Sequence, residues 1–132
     1  MSPLLFVTGA SSGIGQALAW RYYQAGYSLA LVARRTEEMQ AWAHKQGLDP
    51  LRYQIYSADV AIVDSIVAAT EQCLQKQGVP DVVIANAGIS IGMDTAVRGD
   101  LDVMSRTFAI NNVGLAATFH ALIDPMVRRG SG

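Results

Sequence analysis

Apolar runs of strand length alternate with longer amphipathic stretches along this whole chain. Residues 4–7, 29–32 and 82–85 are continuously apolar rather than alternating, the pattern of strands covered on both faces. A weaker strand is predicted at 53–56. Each strand is followed by a helical pattern. The first places Ile14, Leu18, Tyr22 and Ala25 at spacings of three and four, and the second runs from 36 to 46. The third aligns Val63, Ile66, Val67, Thr70 and Leu74, and the fourth Met104, Phe108, Asn111, Leu115, Thr118 and Leu122. Gly26, Gly47 and Gly78 stand where helix C-terminal glycines belong, with Pro50 and Pro80 closely following two of them. Strands alternating with helices imply right-handed crossovers and a parallel sheet, an α/β fold in one domain. The one stretch without periodicity is 88–100.

Composition sharpens this. The chain has 132 residues, 51% hydrophobic and 16% charged, against a charged share of roughly 25% in ordinary domains. Such a chain has much to bury and little solvated surface, which excludes a disordered tail. Ten basic and eleven acidic residues give a net charge of −1, with no basic field for nucleic acid or anionic lipid. A single cysteine, Cys73, cannot form an internal disulfide, so a reducing, cytoplasmic setting is the default expectation. No apolar run approaches the roughly 18 residues of a membrane span, and no charged leader precedes the first strand. His44 and His120 have no ligand-type neighbours, so no metal site is expected. Cys73, Trp20 and Trp42 read as packing residues.

Chemistry concentrates in the first turn, Thr8-Gly9-Ala10-Ser11-Ser12-Gly13-Ile14-Gly15, between a strand and a helix. Glycines at 9, 13 and 15 permit a tight turn, close approach of a ligand and close helix packing. The helix start then directs unpaired amides and a positive dipole end at an anion, and a pyrophosphate is the natural occupant. The second strand ends Val32-Ala33-Arg34-Arg35, where dinucleotide folds that take NAD carry a carboxylate. Two guanidinium groups there suit a 2′-phosphate through charge-assisted bonds, favouring NADP(H) over NAD(H). The other reading is a solvated pair opening the second helix, where positive charge is mildly unfavourable.

The spacing TGxxxGIG resembles the cofactor turn of the short-chain dehydrogenase/reductase family, and the resemblance continues in register through the fourth helix. It implies a Rossmann-like doubly wound parallel sheet, a three-layer α/β/α sandwich with strand order 3-2-1-4 in this chain. It also implies hydride transfer between a nicotinamide and a small carbonyl or alcohol substrate. Asp59-Val60 matches the family's adenine-contacting pair, although Asp59 is also a good N-cap for a helix beginning near Val60. Asn86, Ala87 and Gly88 match three positions of the NNAG motif, with Ala85 in place of its first asparagine. Small residues there let the nicotinamide ribose lie close, while Asn86 can tie neighbouring loops. Asn111 resembles the asparagine of the catalytic tetrad, whose main-chain carbonyl holds a water in the proton relay. A buried structural asparagine is the alternative. Family members assemble as homodimers or homotetramers through the fourth and fifth helices, and a homo-oligomer is expected here.

The family's Tyr-x-x-x-Lys pair is absent. Residues four beyond the five tyrosines are Gly26, Tyr27, Leu31, Ser57 and Val60, and the only lysines are Lys45 and Lys76. No serine follows a fifth strand. The expectation is therefore the cofactor-binding half of a longer enzyme, spanning residues 1–132, with the sheet open at the edge of its fourth strand. A non-catalytic dinucleotide-binding or interaction module, or an NADP sensor, is the competing expectation.

Overall fold

A computed structural model describes residues 2–132. Four parallel strands, β1 (Leu4–Thr8), β2 (Ser28–Ala33), β3 (Tyr53–Ser57) and β4 (Val82–Ile84), form one sheet in the order β3-β2-β1-β4. The register pairs Val7 with Leu31 on one side and with Ile84 on the other. Helices α1 (Gly13–Gln24) and α2 (Thr36–Gln46) cover one face. On the other lie α3 (Val63–Lys76) and the last helical stretch. That stretch comprises α4 (Asp100–Phe108), a π-helical segment (Ala109–Gly114) and α5 (Leu115–Arg129).

The continuous apolar runs arise from this two-sided cover. Along β1, Leu4 and Phe6 face α3 and α5, while Leu5 and Val7 face α1 and α2, so positions 4–7 are all apolar, and the buried Thr8 at the strand end is the polar exception. The edge strands differ: every residue of β4 is only half-buried. Gly47 closes α2 in the left-handed conformation (φ +70°), as its place in the sequence implies. Among the described residues no helix is long and apolar enough to cross a membrane.

Three sequence-based expectations are corrected here. First, the face of α1 turned to the sheet carries the small residues Gly15 and Ala19, which allow close approach; Ile14 is 73% exposed and Ala25 is also exposed. Second, α3 begins at Val63, behind Ile62, so Asp59 is not its N-cap; its Oδ1 instead accepts the Ala61 amide at 2.9 Å in a preceding turn. Third, the last helix is not uniformly α. A π turn inserts residues relative to a 3.6 period and rotates the helix beyond it about its axis. Phe108, just before it, and Leu115, just after it, are exposed, while Ile110, Gly114 and Ala117 face inward together with Thr118 and Leu122 of the expected stripe.

Behind the sheet, the Tyr56 hydroxyl donates to Gln77 Oε1 at 2.9 Å, and Gln77 Nε2 donates to the Leu29 carbonyl at 3.1 Å. Burial pushes the nearby Cys73 thiol up to about 12, and raises the Tyr56 phenol as well. The folded chain thus keeps the thiol protonated at pH values where the unfolded chain ionises it. Above about pH 9 the unfolded state binds fewer protons, so stability falls as pH rises towards 12. Denaturant titrations are expected to show this loss for the native chain, and Cys73→Ala to flatten the profile between pH 9 and 12. An equally steep profile in the variant overturns the assignment.

Candidate functional site

A cleft of about 400 Å³ opens at the carboxyl ends of the strands, where the sheet order switches between β1 and β4. That is where parallel α/β sheets bind ligands. Four stretches of chain line it.

The first is the glycine turn. Gly9 is left-handed (φ +63°), and a Cβ there would stand 2.9 Å from Asn86 Nδ2 and 3.0 Å from Ala87 Cα. Gly13 (φ +56°) has nothing within 4 Å of its Cβ direction, leaving open space at the start of α1. Ser12 holds the N-cap in extended backbone without a side-chain cap bond, and the first turn of α1 contains no acidic residue. Its amides and dipole end are thus neutralised by no side chain of its own. Gly15 lies beneath the cleft rather than on its wall. A Cβ there would overlap the Gly9 carbonyl oxygen and approach Asn86 Nδ2 to 2.6 Å. Ser11, Ser12, Gly13 and Ile14 all line the cleft, and the exposed Ile14 side chain is part of its wall.

The second stretch is the end of β2. Arg34 lines the cleft, and its carbonyl accepts the Ser57 hydroxyl at 3.1 Å. Arg35 does not line it. Its guanidinium lies 3.6 Å from Glu38, and both side chains are largely in solvent. The expected pair of cleft arginines thus becomes one, because consecutive residues leaving a strand point in opposite directions.

Asp59 and Val60 form the third stretch. Asp59 is fixed at both ends: its amide donates to Ser65 Oγ at 2.9 Å and its Oδ1 accepts from Ala61.

Fourth is the chain leaving β4. Asn86 Nδ2 donates to the Gly9 carbonyl at 3.3 Å, and the Ala87 amide donates to the buried Thr8 hydroxyl at 3.1 Å. Side chains lace the two loops together, the tie expected of Asn86. Asn86, Ala87 and Gly88 line the cleft. Asn111, in the π segment, lies just beyond. Its Oδ1 accepts the Ile89 amide at 2.9 Å and its Nδ2 donates to the Ile89 carbonyl at 2.7 Å. Both functions of its side chain are therefore engaged in holding the loop.

Sequence patterns do not reveal Val32, Ala33, Ala58, Ile89, Arg106 and Ile110, which complete the lining. Arg106 and Ile110 share a helix face four residues apart, but the π turn hides which face meets the cleft.

Glycines shaped for close approach, an uncapped helix start and an unpaired Arg34 together fit an elongated group with two anionic parts. Comparison with known proteins identifies the family. The short chain dehydrogenase family matches residues 4–132. A dehydrogenase/reductase SDR family protein 7-like of Drosophila melanogaster is 37% identical, over 98% of this chain and 40% of its own length. The NADP-dependent 3-hydroxy acid dehydrogenase YdfG of Salmonella typhi is 28% identical, over 98% of this chain and 51% of its own. A solved short-chain dehydrogenase from Streptomyces avermitilis superposes with a TM-score of 0.84 at 30% identity, covering 100% of this chain and 47% of that one. The chain thus spans about half the length of the curated relatives it matches. With its strand order, glycine turn and matched length, the chain belongs to the short-chain dehydrogenase family.

Proposed function

We propose that this chain is the NADP(H)-binding half of an oxidoreductase that interconverts a small carbonyl compound and its alcohol. The observation that carries the reading is a cleft whose wall combines the bare N-terminus of α1 with the Arg34 side chain. A bound nicotinamide dinucleotide supplies or takes up the hydride. The residues of this chain bind and orient. The α1 amides with Ser11, Ser12 and Gly13 receive the pyrophosphate, and Arg34 receives the 2′-phosphate. Asp59 and Val60 meet the adenine, and Asn86, Ala87 and Gly88 the nicotinamide ribose. A 28% identical relative named as NADP-dependent supports the cofactor choice. Asn111 fixes Ile89 and with it the chain between β4 and α4, and we assign its main-chain carbonyl to the proton relay.

A second reading is a dinucleotide-binding module without turnover. Titration of the chain with NADPH and NADH tests the shared core of both readings. NADPH is expected to bind more tightly, and failure of both to bind overturns them together. Intact mass of the natural protein then separates the two, since a product near 14.1 kDa supports the module.

The same proposal includes a homodimer. Leu101, Phe108, Leu115 and Ile123 are between 37% and 54% exposed along α4 and α5. Asp102, Asp124 and Arg128 are exposed on the same helices, so charges of both signs are available to a self-complementary two-fold contact. Size-exclusion chromatography is expected to show a dimer, and Phe108→Glu a monomer with an unchanged melting temperature. A native monomer overturns this assembly.

A further inference from the structure

Arg106 is the one charged residue among those lining the cleft for which neither the fold nor the proposed cofactor contacts give a purpose. It lies on α4, one turn before Ile110, and both line the cleft. The wall they form is set by close packing of the π segment on the chain after β3: a methyl at Gly114 would overlap Val60 Cγ1 and the Val60 carbonyl. Ile110 lies one turn before that contact and Arg106 one turn further out, and both line the same cleft as Asp59 and Val60, where Val60 and Ile110 are each 8% exposed.

Its guanidinium takes part in neither of the two ion pairs in the described residues and makes no hydrogen bond. Asp102, a turn earlier, does not reach it, and neither does Asp59. An exposed arginine so placed is a cation beside isoleucine and valine walls. Those walls suit a flat ring and offer a phosphate no further donors. A guanidinium is planar, weakly hydrated and stacks on aromatic faces.

We infer that Arg106 covers the adenine ring, closing the purine end of the cleft by stacking rather than by contacting a phosphate. This rests on the dinucleotide reading above, and it assigns the two free cleft arginines different tasks. Arg34 reads the 2′-phosphate; Arg106 reads the base and is indifferent to that phosphate.

Calorimetric titration of the 132-residue chain with NADPH, NADH and 5′-AMP separates the tasks. Arg106→Ala is expected to weaken all three by a common factor of roughly three- to thirtyfold. Arg106→Lys keeps the charge without the plane and is expected to recover only part of the loss. A loss confined to NADPH makes Arg106 a phosphate ligand and overturns the inference. Unchanged affinities for all three, or full recovery with lysine, also overturn it. In those cases the native chain still binds and the dinucleotide reading stands. If the native chain binds none of the three, that reading fails and this inference with it. Should Arg106→Ala lower the melting temperature, the lysine variant carries the comparison.

Discussion

Gly15→Ala is expected to destabilise the chain by about 1–3 kcal/mol and to weaken NADPH binding by at least about tenfold. The added carbon would overlap the Gly9 carbonyl oxygen and stand 2.9 Å from the Gly9 carbonyl carbon. Backbone cannot step aside cheaply there, because Gly9 is already in the left-handed conformation and its oxygen accepts from Asn86. Relief requires α1 to move away from the sheet or the glycine turn to lift into the cleft. Either displaces the helix amides from the position a pyrophosphate would take. Gly99→Ala provides the contrast. Gly99 precedes α4 with helical backbone angles (φ −64°, ψ −26°) and nothing within 4 Å of its Cβ direction. That substitution is expected to be neutral or to stabilise by about 0.5–1 kcal/mol. Thermal melts and NADPH titrations of both variants check the pair. A Gly15→Ala protein that melts and binds like the native chain removes close packing as the reason for this glycine.

The contrast between these two glycines also marks where sequence reasoning works. Glycine 15 belongs to a spaced set between a strand and a helix, and its demand on space is local, so the pattern exposes it. The sheet is legible for a similar reason: β1 and β2 are buried on both faces, and that leaves a continuous apolar run with no alternative reading. Helix α2 is legible because Thr36 opens it behind an extended Arg35 and Gly47 ends it. Everything that depends on rotation about a helix axis is not. Ile14 fits an apolar stripe by spacing, but the sheet selects the smaller Gly15 and Ala19 and leaves Ile14 at the cleft. Phe108 and Leu115 fail for a different reason, since the π segment has no signature in a 3.6-residue period. The contacts that go with it are tertiary: Asn111 holds Ile89 by two hydrogen bonds, and Gly114 lies flush on Val60. The same segment carries Ile110, one of the lining residues that the pattern misses.

Arg34→Ala is expected to lower NADPH affinity by roughly ten- to a hundredfold, the equivalent of one charge-assisted contact of about 1.5–3 kcal/mol. NADH affinity is expected to stay within about twofold. The asymmetry comes from where the two strand-end arginines lie. Arg35 is engaged at the surface with Glu38, in an exposed pair of little energetic weight. Arg34 lines the cleft and has no ion-pair partner among the described residues. On the proposed reading a 2′-phosphate takes that role and a ribose hydroxyl does not, so removing the guanidinium is expected to penalise only the phosphorylated cofactor. Arg35→Ala is expected to leave both affinities nearly unchanged, and Arg34→Ala to flatten the salt dependence of NADPH binding, since a lost phosphate contact is no longer screened. Titrations of both variants with both cofactors at low and high ionic strength decide the matter. Equal losses for NADPH and NADH in Arg34→Ala would make this arginine part of a common binding surface. A larger effect at Arg35 would mean that its pair with Glu38 opens when the cofactor arrives.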